Sequence, residues 1–168
     1  MQEPSLTPTS YVVLGLVELS GEATSYDLKQ AAAYSVGNFW TMQHAAFYSE
    51  PQRLAGAGLL SVRKEQGGRR RKHYRLTKRG AKALADWRAE PTAALAEIRN
   101  QALLKLFFGA DPGTLAETQL EASREKLAQY EWMYHQSEGM GDSGPRVALE
   151  AGIGHMREWV RFWERLAK

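Results

Sequence analysis

The sequence predicts a mainly α-helical protein with a single early hairpin, on three observations. Apolar residues recur at helical spacing through most of the chain. The period switches to alternation in two short runs, "LLSVRK" at 59–64 and "KHYRL" at 72–76, on either side of a Gln66-Gly67-Gly68 turn. After Pro91 helical spacing returns, with no further alternating run. The 168 residues suffice for one large domain or two small ones. The change of texture at Pro91 divides them into 1–90 and 91–168.

The first helix is capped by Thr7, carries Pro8 in its first turn and stops at Gly21. Val12, Leu16 and Leu19 share a face and are expected inward. Thr24 or Ser25 caps the second helix, with Tyr26, Leu28 and Ala32 as inward positions, and "VGNFW" breaks it. A third helix is expected from about Met42 to Ala57, with Phe47, Leu54 and Ala57 at core spacing and Gly58 as its stop. In the hairpin, Leu60, Val62, Tyr74 and Leu76 are expected to point inward. Glycine supplies the turn because it reaches positive φ without steric cost. Thr77 caps a fourth helix, with Leu76 and Ala81 placed as a hydrophobic staple. Three helices, a two-stranded wing and a fourth helix make the winged helix-turn-helix layout.

The second region is read as a helical, coiled-coil-like domain. "AALAEIRNQALLKLFFG" is expected to be helical until "ADPG" ends it. A long helix follows from about Gly113 to Glu138, with Ala116, Leu120, Ser123, Leu127, Tyr130 and Tyr134 spaced as a seam. The last helix starts near Pro145. Its Leu149, Ile153, Met156, Val160 and Trp163 repeat that spacing, and Trp159, Phe162 and Leu166 widen the stripe. So wide an apolar stripe implies a dimer interface, with Leu120, Leu127, Tyr134, Ile153, Met156, Val160 and Trp163 as its candidates.

Charge is the strongest functional signal. Between Arg63 and Lys82 stand ten basic residues and one acid, Glu65. The whole chain carries only +3, so the remainder is acidic by six charges. Four adjacent cations, Arg69, Arg70, Arg71 and Lys72, repel one another, and an anionic partner removes that cost. A duplex carries one negative charge per ~1.7 Å of its axis. An exposed hairpin lying along phosphates would let the third helix enter the major groove. There Gln43, His44, Tyr48, Ser49 and Gln52 are candidate DNA contacts, with plain surface as the alternative for each. Ser25 and Tyr26, where a helix N-terminus favours phosphate, are candidate backbone contacts. Tyr26 serves equally well as core. Lys64 completes the DNA-binding set.

Other chemistry finds little support. The absence of cysteine excludes disulfides, thiol catalysis and cysteine metal sites. The four histidines have no metal-ligand spacing, and no cofactor motif is present, so neither an enzyme nor a metal or cofactor site is expected. With no signal peptide at the N-terminus and no apolar run near the ~20 residues of a membrane span, a cytoplasmic protein is expected. Trp40, Tyr130, Trp132, Tyr134 and His135 are candidates for a small-molecule pocket, with plain aromatic packing as the more ordinary reading.

In "SYDLKQ", "FW", "FYSEPQRLAGAGLL", "GRRRKHYRLTKRGAKAL" and "LLKLFFG", in that order, the chain resembles the PadR family of transcriptional regulators over nearly its whole length. The likeness rests on Tyr26 and Leu28, on Tyr48, Arg53, Leu54, Gly58 and Leu59, and on Tyr74, Leu76, Thr77 and Gly80. It implies a homodimer with one winged-helix head per subunit, joined by C-terminal helices, that binds a pseudo-palindromic operator and usually represses. It also implies release of double-stranded DNA by a small aromatic effector in some members. The alternatives are a small-molecule-binding protein with weak DNA binding and a non-specific architectural DNA binder. Many members carry Tyr-Pro where this chain has Tyr48-Ser49, followed by Glu50-Pro51. A proline inside a helix costs ~3 kcal/mol. The third helix is therefore expected to bend at Pro51 or restart there with Ser49 as cap. Glu50 is expected near the DNA-facing surface.

Overall fold

The computed structural model describes residues 5–66 and 70–168, which form two compact units, Met1–Ala94 and Leu95–Lys168. The described residues hold seven α-helices and one three-stranded sheet.

In the first unit, α1 (Pro8–Ser20) starts where Thr7 and Ser10 satisfy each other's backbone N–H groups. Gly21, at φ 69°, ends it. The buried residues are Val13, Leu14, Leu16 and Val17, while Val12 is half-buried and Leu19 is exposed. The sequence reading was therefore rotated. The helix packs against three other helices and a strand, so its inward arc is wider than one stripe. Tyr11 stacks on Trp87 with ring centroids 4.6 Å apart.

A strand of two residues, β1 (Ala23–Thr24), follows and was not foreseen. It pairs with β3 to give the order β1-β3-β2, so the wing hairpin belongs to a three-stranded antiparallel sheet. Thr24 caps α2 (Ser25–Ala33), accepting from the Asp27 N–H while Asp27 reaches back to the Thr24 N–H at 2.9 Å. Leu28 and Ala32 are buried, and Tyr26 is exposed rather than core.

The third helix, α3 (Ala46–Gly56), begins four residues later than the sequence predicts. No side chain caps it, and a tight turn through Gln43, His44 and Ala45 leads into it. It runs unbroken through Pro51, whose ring is buried with Phe47 and Leu54. Ser49 does not start a new helix; its hydroxyl donates to the Ala45 carbonyl at 3.2 Å. Gly58, at φ 75°, turns the chain into the sheet.

Strands β2 (Leu60–Lys64) and β3 (Lys72–Leu76) pair in the register Leu60↔Leu76, Val62↔Tyr74 and Lys64↔Lys72. Leu60 and Tyr74 are buried, Leu76 is half-buried and Val62 is exposed, for Val62 lies on the edge strand and Tyr74 on the central one. The Gly67-Gly68 turn lies outside the described residues. Helix α4 (Lys78–Ala89) begins at its Thr77 cap, which accepts from the Gly80 N–H at 3.0 Å.

Between Ala93 and Asn100, across the boundary of the two units, the chain carries no regular structure, against the expected helix. The Asn100 side chain accepts from the Ala102 and Leu103 N–H groups and starts α5 (Gln101–Phe107) there. Helices α6 (Pro112–Gln136) and α7 (Gly144–Leu166) form an antiparallel hairpin, tied by Arg124 to Glu164 and Arg157 to Glu131, each at 2.8 Å. The seam foreseen on these helices is largely satisfied between them: Ala116, Ser123, Tyr130, Ile153 and Trp163 are buried. A Cβ at Gly152 would stand 3.2 Å from the Tyr130 ring, so this glycine admits close helix approach, while Gly154 faces open space. Among the described residues no helix is long and apolar enough to cross a membrane.

Candidate nucleic-acid interface

The outer end of the hairpin gathers cations. The register sets Lys64 directly opposite Lys72, and like charges in such a cross-strand pair destabilise the free protein. The hairpin continues one step further, where the Glu65 N–H donates to the Arg71 carbonyl at 3.0 Å. Arg70 and Arg71 are exposed there. Arg70 sits at φ 47°, the one non-glycine residue among those described with positive φ. That region favours glycine or asparagine, and a longer side chain there costs on the order of 1 kcal/mol. Arg69 lies outside the described residues.

The nearby acids form their ion pairs with other groups. The Glu65 carboxylate meets the His73 Nε2 at 2.8 Å. That bond, with help from the Arg71 N–H and nearby charge, holds its pKa below the usual carboxylate value. Glu22, in the turn before β1, takes Arg63 at 3.0 Å and Arg75 at 3.2 Å. Among the described residues, Lys64, Arg70, Arg71 and Lys72 have no ion pair with a carboxylate.

Helix α3 presents the second surface. With Phe47, Pro51 and Leu54 turned inward, Tyr48, Ser49 and Gln52 are exposed. Gln43 and His44 are exposed in the turn ahead of the helix rather than on it, and the His44 ring lies 5.3 Å from that of Tyr48. On α2, the Tyr26 hydroxyl accepts from the Gln30 amide at 3.2 Å, while the Ser25 hydroxyl is engaged with Tyr74.

Glu50 does not face this surface. Arg53 grips it through Nε and Nη2 at 2.9 and 2.6 Å and also donates to the Ser10 hydroxyl at 2.9 Å, joining α3 to α1. The Arg53 bonds hold the Glu50 pKa down against the opposing effect of burial. A depressed carboxylate stabilises the fold above its unfolded value, near 4.5, and that contribution is lost as pH falls through the folded value. Arg53→Met is expected to cost about 1 kcal/mol, since the guanidinium is partly screened by solvent. Glu50→Gln is expected to flatten the acid limb of thermal stability measured against pH. An unaltered acid limb would show that the pair carries no stability.

The other expected sites fare unevenly. Ile153 and Trp163, expected at a dimer interface, are buried inside the protomer and unavailable to a partner, because α6 and α7 cover them. Leu120, Leu127, Tyr134, Met156 and Val160 are half-buried. Of the pocket candidates, Tyr130 is buried, Trp132 is 63% exposed and Trp40 belongs to the first unit. The Tyr134 ring carries the Arg146 guanidinium 3.8 Å from its centroid, and His135 pairs with Glu138. Two open concavities, one beside Glu22 and Arg63 and the other between α5 and α6, are lined by none of these five. No cluster of three or more His, Asp or Glu able to hold a metal occurs among the described residues. Sequence reasoning missed Glu22, whose partners lie 41 and 53 residues away, and the link from Arg53 to Ser10, 43 residues away.

Comparison with known proteins is consistent with this geometry. The family profile described as "Transcriptional regulator PadR-like family" matches residues 13–86, the core of the first unit. Over 162 residues the chain is 27% identical to the negative transcriptional regulator PadR of Bacillus subtilis (strain 168), covering 92% of this chain and 87% of that one. The chain is thus similar to PadR-like transcriptional regulators, by family profile over residues 13–86. Its fold matches the crystal structure of Bacillus subtilis PadR in complex with operator DNA at a TM-score of 0.82, with 22% identity and 98% of each chain covered. It matches Bacillus subtilis PadR in complex with p-coumaric acid at 0.74, with 23% identity and 97% of each chain covered. These likenesses establish the PadR fold for both units of the chain.

Proposed function

We propose that this PadR-like protein is a cytoplasmic, homodimeric transcriptional repressor that binds a pseudo-palindromic operator and is not an enzyme. The observation that carries the reading is the cationic hairpin end. Lys64 opposes Lys72, Arg70 and Arg71 stand beside them, and among the described residues none of the four forms an ion pair with a carboxylate. Polyphosphate relieves that repulsion, and the exposed Tyr48, Ser49 and Gln52 give α3 the means to read base edges. Kinship with a negative regulator supports repression.

A dimer is favoured by the apolar residues that one chain leaves uncovered. Leu104 and Phe107 on α5 and Phe108 at its C-terminal cap are all exposed. A small aromatic effector is proposed as the releasing ligand, on the strength of the p-coumaric acid complex of Bacillus subtilis PadR. Trp132, 63% exposed, is an accessible aromatic candidate contact. Trp132→Ala is expected to abolish ligand-dependent release without loss of folding; release that persists in the variant would remove Trp132 from the site.

The reading is tested by titrating a labelled duplex with the protein over a salt series. Two protomers per duplex are expected, with affinity falling steeply as salt rises. No binding even at low salt would overturn it.

A further inference from the structure

Glu22 belongs to no expected site, yet it organises the outer face of the sheet. Gly21 ends α1 at φ 69°, and Glu22 follows immediately before β1. The pairing Ala23↔Tyr74 brings Glu22 level with Arg75, and Arg63 lies across from the neighbouring His73. Both carboxylate oxygens are used. Oε1 accepts from Arg63 Nε at 3.2 Å and Nη2 at 3.0 Å, and Oε2 accepts from Arg75 Nη2 at 3.2 Å. The arginine side chains remain 61% and 66% exposed, while that of Glu22 is only 21% exposed. Two cations on the wing strands are therefore open to solvent yet share one carboxylate, and the trio keeps a net charge of only +1.

We propose that Glu22 is an intramolecular counter-ion that withholds Arg63 and Arg75 from DNA phosphate, and so sets how many cations the wing offers to a duplex. The inference rests on the DNA-binding reading above. A phosphate approaching either arginine must compete with a carboxylate already hydrogen-bonded to it, so less is gained from the contact. The phosphate-binding set is then confined to the hairpin end, where Lys64, Arg70, Arg71 and Lys72 lack carboxylate partners. Sequence-independent affinity rises steeply with the number of phosphates neutralised. Removing two cations from that number weakens the grip on random DNA and leaves more of the total affinity to base contacts. Glu22 is thus a specificity-determining residue that need not touch DNA.

The test is fluorescence anisotropy with a random-sequence duplex of about three helical turns, over a salt series, with a thermal melt of every protein. In Glu22→Gln the log Kd against log[salt] dependence is expected to steepen by up to about 1.8, for two released cations at ~0.9 each, with tighter binding at low salt. Arg63→Gln with Arg75→Gln in the wild-type background is expected to leave the slope unchanged, and in the Glu22→Gln background to abolish the steepening. A folded Glu22→Gln protein with the wild-type slope would overturn the proposal. So would a shallower slope in the double arginine variant, which would mean that those arginines already grip phosphate. If Glu22→Gln fails to fold, the double arginine variant decides by the same criterion. A folded wild-type protein that binds no duplex at any salt would instead refute the DNA-binding reading itself.

Discussion

Replacing Arg70, Arg71 and Lys72 together by alanine is expected to weaken binding to every duplex, whatever its sequence, by roughly 100-fold at moderate salt. The salt dependence is expected to become shallower by about 2.7, for three lost phosphate contacts at ~0.9 each. Sequence preference should survive, because α3 is untouched. Stability should not fall. The three side chains pair with no carboxylate in the described structure, and removing Lys72 relieves its repulsion with Lys64. This separates a functional patch from a structural one. If the triple variant keeps the wild-type slope, these cations are ordinary solvated charge and the wing does not hold phosphate.

The largest stability effect is expected at Gly80. A Cβ there would stand 2.1 Å from the Leu59 carbonyl oxygen and 3.0 Å from the Leu76 Cδ1. The first of these is backbone and cannot swing aside. The same carbonyl accepts from the Thr77 N–H at 3.1 Å and the Thr77 hydroxyl at 3.0 Å, and the Leu59 N–H donates to the Leu54 carbonyl at 2.9 Å. The end of α3, the start of β2 and the start of α4 thus meet at one peptide. Gly80→Ala is expected to cost about 3 kcal/mol or more, read from denaturant or thermal unfolding. Gly154→Ala serves as the contrast. Nothing lies within 4 Å of its Cβ, and alanine in mid-helix is expected to add up to ~1 kcal/mol. An unchanged unfolding midpoint in Gly80→Ala would show that α4 is free to move off the sheet.

Elements with local punctuation were legible in the sequence. Thr7 with Pro8, Thr24, Gly21, Gly58 and Thr77 each start or stop an element where the structure has it, because caps and positive-φ glycines act within a turn of themselves. Elements without such signals were misplaced. No side chain caps α3, and its start was set four residues early. Residues 93–100 have helix-compatible composition, yet the helix starts only after the Asn100 cap. The two-residue β1 is too short to show a period, and it exists because β3 offers it a free edge. The heptad-like spacing on α6 and α7 was real, yet spacing does not say whether the facing helix belongs to the same chain. The structure assigns Ile153 and Trp163 to the hairpin within the protomer. In the candidate site, the charge cluster was plain in the sequence. Its division was not. Glu22 reaches Arg63 and Arg75 across 41 and 53 residues, a pairing that only the sheet register creates. Glu50 likewise looked like an acid facing DNA until Arg53 and Ser10 drew it towards α1.

The central claim is that the α3 surface reads sequence while the hairpin end holds phosphate. Selection from a randomised duplex pool at ~150 mM salt, where phosphate-only binding is already suppressed, tests it most directly. Enrichment of an inverted repeat is expected, with half-sites one helical turn or a multiple apart. Retention of DNA with no enriched motif would contradict it, leaving a protein that grips phosphate through its wing and reads nothing.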